Sequence, residues 1–74
     1  MNTKLEKFDS GWVGVSLALS SEEVEVLIQR LRELKSGEIN HFHLRNKDFT
    51  LTEGIADIEI TTMGKEELDN MTID

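Results

Sequence analysis

Between Ser20 and Gly37 lies the one strongly helical segment of the sequence, and it constrains the fold more than any other feature. Ser20 followed by Glu23 has the spacing of a capping box, in which the hydroxyl takes an orphan amide and the carboxylate reaches back. Glu22, Glu23 and Glu25 fall near the positive end of the helix dipole, and Arg30, Arg32 and Lys35 near its negative end. Val24, Leu27, Ile28, Leu31 and Leu34 recur at the spacing of one apolar stripe. Gly37 supplies a left-handed stop. The pattern predicts a helix over 21–35.

The flanking segments have period two instead. In residues 12–19, Val13, Val15, Leu17 and Leu19 share one side, and Trp12, Gly14, Ser16 and Ala18 the other, as in a strand with one buried face. Asp9-Ser10-Gly11 reads as the turn before it. Residues 3–8 are a candidate earlier strand, although Leu5 and Phe8 do not alternate. In residues 39–45, Phe42 and Leu44 oppose His41, His43 and Arg45. Residues 46–54 form a polar loop interrupted by Phe49 and Leu51. In residues 55–62, Ala56, Ile58 and Ile60 oppose Ile55, Asp57, Glu59 and Thr61. Residues 65–74 read as a short helical turn or a loose tail.

The expected assembly is an α+β domain spanning 1–74, in the order strand–helix–strand–strand. One helix packs on a small mixed sheet of three strands, or four if residues 3–8 join it. The strand–helix–strand unit is a right-handed parallel crossover, and the last two strands are antiparallel neighbours. The helix stripe is expected to cover Val13, Val15, Leu17, Phe42, Leu44, Ile58 and Ile60.

A chain of 74 residues builds a thin core. Small domains compensate with disulfides, metals or a partner subunit. There is no Cys, which excludes disulfides and fits a reducing compartment. The N-terminus lacks the apolar run of a signal peptide, and no stretch approaches the ~20 apolar residues of a membrane span. A cytoplasmic location is expected.

The formal charge is −7, and it is unevenly placed. Residues 1–47 hold seven acids and seven bases. Residues 48–74 hold eight acids (Asp48, Glu53, Asp57, Glu59, Glu66, Glu67, Asp69, Asp74) against Lys65. Such a field repels nucleic acid and attracts basic proteins. The plainer reading is a solvated, solubilising tail. The aromatics are not interleaved with bases, so nucleic-acid binding is disfavoured. An enzyme is disfavoured too, since there is no Cys nucleophile, glycine-rich phosphate loop or Gly-x-Ser-x-Gly elbow.

The sheet face away from the helix would carry Trp12, His41, His43, Asp57 and Glu59. An uncovered face of this kind points to an interface, with a back-to-back homodimer as one candidate and coverage by the chain's own termini as the plainer one. His41 and His43, at i and i+2 on a strand, point the same way. They are candidate metal ligands, with Asp57 or Glu59 across the hairpin to complete a site. Two His without a fixed third ligand is a weak pattern. They are read first as packed or interface histidines bonded to Asp57 or Glu59, and neither metal nor cofactor is assigned.

The capped helix with Leu27-Ile28, Leu31 and Leu34, then Gly37, the strand His41-Phe42-His43-Leu44, and a loop with Asp48-Phe49 and Leu51-Thr52-Glu53 together resemble a small immunity-protein family of bacterial polymorphic toxin systems. The resemblance covers residues ~15–62. The family loop often carries a Trp-Gly-Gly-like stretch where this chain has Phe49-Thr50. The resemblance implies a cytoplasmic protein that neutralises a cognate toxin by binding it. A basic toxin would suit the acidic last third. The candidate contact residues are Glu53, Asp57, Glu59, Glu66 and Glu67 for charge, and Trp12, His41, His43 and Phe49 for shape. The alternatives are a homodimeric structural or accessory protein, and a His-x-His metal- or ligand-binding domain.

Overall fold

The computed structural model describes residues 1–74. Its elements are β1 (Asn2–Lys7), β2 (Val13–Ala18), α1 (Ser21–Ser36), β3 (His41–Arg45) and β4 (Asp57–Thr61). The chain is therefore α+β with one helix, but the order is β-β-α-β-β.

The helix forms as its sequence dictates. Ser20 is extended, at φ −71° and ψ 166°, and its Oγ accepts from the Glu23 amide at 3.2 Å. Glu23 Oε1 accepts from the Ser20 amide at 3.0 Å, which completes the capping box. Gly37 ends the helix at φ 85°, a left-handed conformation in which a Cβ would be strained.

The sheet differs from the expected one. There are two separate two-stranded antiparallel sheets, β1–β2 and β3–β4, and no mixed or parallel sheet. The first period-two strand pairs with neither later strand. It pairs with β1, in the register Leu5↔Val15 and Thr3↔Leu17. The reason is local. Asp9-Ser10-Gly11 closes a tight hairpin in which the Gly11 amide donates to Phe8 O at 3.1 Å and the Phe8 amide to Trp12 O at 2.9 Å. Gly11, at φ 93°, takes the left-handed position that such a turn requires. A short loop costs little closure entropy, whereas a parallel crossover must first span the helix. The second hairpin forms as expected, with Phe42↔Ile60, His43↔Glu59 and Leu44↔Ile58 opposite one another.

The two faces of each hairpin follow from these registers. In the second, Phe42, Leu44, Ile58 and Ile60 share a half-buried face. In the first, Leu5, Val13, Val15 and Leu17 share a row with Lys7 that stays largely exposed, with Val13 55% and Val15 53% exposed. The expected helix-covered core across both strand sets is not present. Leu34 alone is buried, while Val24, Ile28 and Leu31 of the helix stripe remain exposed. The two sheets share no ladder that would hold them side by side beneath the helix, and an open cleft separates the helix from β3.

The opposite face of the first hairpin is partly closed from within. The Phe8 ring lies over Gly14, 3.4 Å from where a Cβ would sit. Residues 65–74 contain a single turn, in which the Glu67 amide donates to Gly64 O at 3.2 Å and the Glu67 carboxylate accepts from the Gly64 amide at 3.1 Å.

The molecule is expanded for its length. Its radius of gyration is 14.4 Å, against about 11 Å for a compact chain of this size. Its accessible surface is 7056 Å², about 2,400 Å² more than a folded monomer of 8.4 kDa usually presents.

Candidate functional site

The sequence-derived candidates fall into separate groups. His41, His43, Asp57 and Glu59 come together on the polar face of β3–β4, because odd-numbered residues on both strands of this register share that face. Phe49 and Glu53 sit on the loop joining these strands. Trp12 stands on the other hairpin, beside its turn, and Glu66 and Glu67 lie in the terminal turn.

The histidine face is tightly connected. His43 Nδ1 lies 3.0 Å from both carboxylate oxygens of Asp57. With the carboxylate ionised, Nδ1 is the donor, and the lone pair is left on Nε2. That Nε2 lies 3.7 Å from Glu59 Oε1. Arg45 Nε approaches Asp57 Oδ1 at 3.5 Å from the other side. His41 Nδ1 is 2.5 Å from Asn40 Oδ1. The two imidazoles meet edge to face, with centroids 5.2 Å apart. The side chain of His43 is 24% exposed, so the cluster is open to solvent.

The loop above this face is organised rather than loose. Asn46 extends the ladder past Arg45, its amide donating to Ala56 O at 2.9 Å and its Nδ2 to Ile55 O at 3.1 Å. Its Oδ1 accepts from the Asp48 amide at 2.8 Å, and Asp48 Oδ1 accepts from the Thr50 amide at 3.2 Å. These successive side-chain turns present Phe49, which is 72% exposed, and Leu51 to solvent. Glu53 reaches Lys7 of β1 at 3.4 Å, an exposed ion pair between the two hairpins.

Two clefts lie between the elements. One, of about 910 Å³, separates β1 from the 46–56 loop and is lined by Leu5, Lys7, Leu44, Phe49, Glu53 and Ile58 among others. The other, of about 260 Å³, runs between the helix (Val26, Leu27, Arg30) and β3 (Phe42, Leu44). Both are open gaps where packed elements would meet in a compact fold. At their shared corner the Met1 α-amino group binds Glu23 Oε2 at 2.6 Å. This contact, with the Ser20 amide bond, holds the Glu23 carboxyl down to about 2 from its ordinary 4.5.

Sequence reasoning missed three participants. Asn40 engages His41, Asn46 builds the loop, and Lys7 pairs with Glu53. Asn40 and Asn46 bracket the His-x-His strand, and that symmetry was the available signal. Lys7 had none, because its partner is 46 residues away. No helix is long and apolar enough to cross a membrane. Comparison with protein-family models, with curated proteins and with solved structures returns no significant match in any of the three.

Proposed function

We propose that this chain is a protein-binding module that neutralises a cognate bacterial toxin by direct association. The observation that carries the reading is the pairing of exposed large apolar side chains with an acidic hairpin. The total surface exceeds that of a compact monomer of this mass by about 2,400 Å², polar and apolar together and with the walls of both clefts included. Exposed Trp12 is an anchor of the type that dominates protein–protein contacts, Phe49 is an aromatic of the kind enriched in them, and Leu51 adds apolar area beside it. Glu53, Asp57 and Glu59 lie on the same hairpin as Phe49, and Glu66 and Glu67 follow it in the chain, so the favoured partner is basic. The immunity-family resemblance supplies the toxin as the class of partner.

The test is rescue. If a toxin domain is encoded beside this gene, its co-expression with this chain is expected to restore growth. The triple reversal Glu53→Lys, Asp57→Lys, Glu59→Lys is expected to abolish rescue, with circular dichroism confirming an intact fold. A toxin-free gene neighbourhood, or rescue undiminished by the reversal, would overturn the proposal.

A second reading, self-association, is favoured by one specific feature. The row Leu5, Val13, Val15 and Leu17 is continuous across β1 and β2 and more than a third exposed at each position, with Lys7 opposite Val13 as its one charged member. A second copy laid on it would bury apolar surface against apolar surface. This is the opposite face of the hairpin from Trp12, Gly14 and Ser16, where the sequence alone placed a homodimer contact.

A further inference from the structure

The polar face of the β3–β4 hairpin has a further capacity. We propose that His41, His43 and Glu59 form a site for a zinc-class divalent ion, with Asp57 and Asn40 orienting the two imidazoles.

The backbone supplies the arrangement. His41 and His43 stand two residues apart on one strand, and Glu59 is the direct cross-strand partner of His43. The ligand atoms of the three residues all lie within 4.8 Å of one another. A tetrahedral zinc with bonds of about 2.0–2.2 Å needs its ligand atoms roughly 3.4 Å apart. His41 and Glu59 are exposed, so their side chains can close that difference by rotation, with no movement of the ladder. His43, the less exposed imidazole, already has its Nε2 3.7 Å from Glu59 Oε1.

The surrounding contacts fit the same purpose. Ligating imidazoles nearly always donate their other ring N–H to a carboxylate or carbonyl oxygen, which fixes the tautomer and raises ligand basicity. Both imidazoles have such an oxygen at Nδ1: Asp57 for His43 and the Asn40 amide for His41. The two Nε2 atoms are then the available ligands. Two His and one carboxylate suit zinc, and leave a fourth position open for water or a partner side chain. The set is too nitrogen-rich to favour Mg²⁺ or Ca²⁺. An ion here would bridge β3 and β4, and so staple the hairpin that carries Phe49 and Glu53.

The test uses the full chain, stripped with a chelator and titrated with zinc chloride by calorimetry, with thermal melting and imidazole NMR in parallel. Expected are one zinc per chain, a raised melting temperature and shifts of both imidazoles. His41→Ala and Glu59→Gln should each weaken binding at least tenfold, and Asp57→Asn should weaken it about 10- to 100-fold without removing a ligand. His41 and His43 are the only imidazoles in the chain. If the His41→Ala/His43→Ala double variant binds zinc as well as the unaltered chain, the acidic tail is the binder and the site is refuted. No stoichiometric zinc on the unaltered chain refutes it equally. His41 is exposed, so its single variant keeps the test valid if His43→Ala unfolds the hairpin.

Discussion

Val15 offers a quantitative test of the exposed row. It lies opposite Leu5 in the β1–β2 ladder, with 53% of its surface exposed. Full burial of a Val side chain is worth about 1.5–3 kcal/mol, so covering the exposed half contributes roughly 1 kcal/mol. In a symmetric dimer each residue counts twice, giving about 2 kcal/mol per pair of chains. Val15→Asp forfeits that and also sets a carboxylate against apolar surface, which costs at least the ~1–3 kcal/mol per copy of a neutral polar group left without a partner. The lower end of the sum, about 4 kcal/mol, weakens self-association roughly 10³-fold. In a free chain the same change falls on an exposed strand position and costs ~1 kcal/mol or less. Sedimentation over a concentration series separates the two cases, and small-angle scattering adds the size. The unaltered chain should associate, and Val15→Asp should give a monomer with a radius of gyration near 14.4 Å. A monomeric unaltered chain with a radius near 11 Å would refute the reasoning. The row would then be covered by the chain itself, and Val15→Asp would unfold the monomer instead of releasing it.

Other outcomes follow from single contacts. Leu34→Ala removes the one buried side chain and should cost about 2–5 kcal/mol, read by chemical denaturation. Gly11→Ala forces a side chain to φ 93° in the β1–β2 turn and should cost about 1–2 kcal/mol, with loss of β1–β2 amide protection from exchange. The lowered Glu23 pKa makes a signed prediction. A depressed carboxyl contributes stability above its unfolded value of 4.5, and that contribution is lost as pH falls through about 2. The stability gap between the unaltered chain and Glu23→Gln should therefore be constant near neutrality, shrink below pH 4.5 and vanish near pH 2. A gap independent of pH would show that the carboxylate contacts do not act as described.

The parts of the fold legible in the sequence are those set by neighbouring residues. Ser20, Glu23 and Gly37 fix the helix ends because capping is a matter of a few positions. His41 to Arg45 and Asp57 to Thr61 alternate cleanly, and both form strands. β1 was faint because Leu5 is its only large apolar residue, so period two had little to act on. The pairing of Val13–Ala18 was misread because alternation reveals which face is apolar but not which strand lies alongside. The bringing together of His43, Asp57 and Glu59 was legible once the hairpin was assumed, since odd positions share a face. The reach of Lys7 to Glu53 was not, because two flexible charged side chains far apart in sequence leave no periodic trace.

Because every backbone ladder closes within one hairpin, no strand pairing crosses the helix. Contacts of low sequence separation form quickly, so each hairpin can appear early and without help from the other. The same locality leaves little to make the halves melt together. Isolated two-stranded hairpins are marginal in water, and the exposed Lys7–Glu53 pair is a weak tie between them. Cooperativity in this molecule would then be acquired on association rather than built into the chain. Heat should loosen the free protein gradually, and a bound partner should turn that gradual loosening into a single sharp transition.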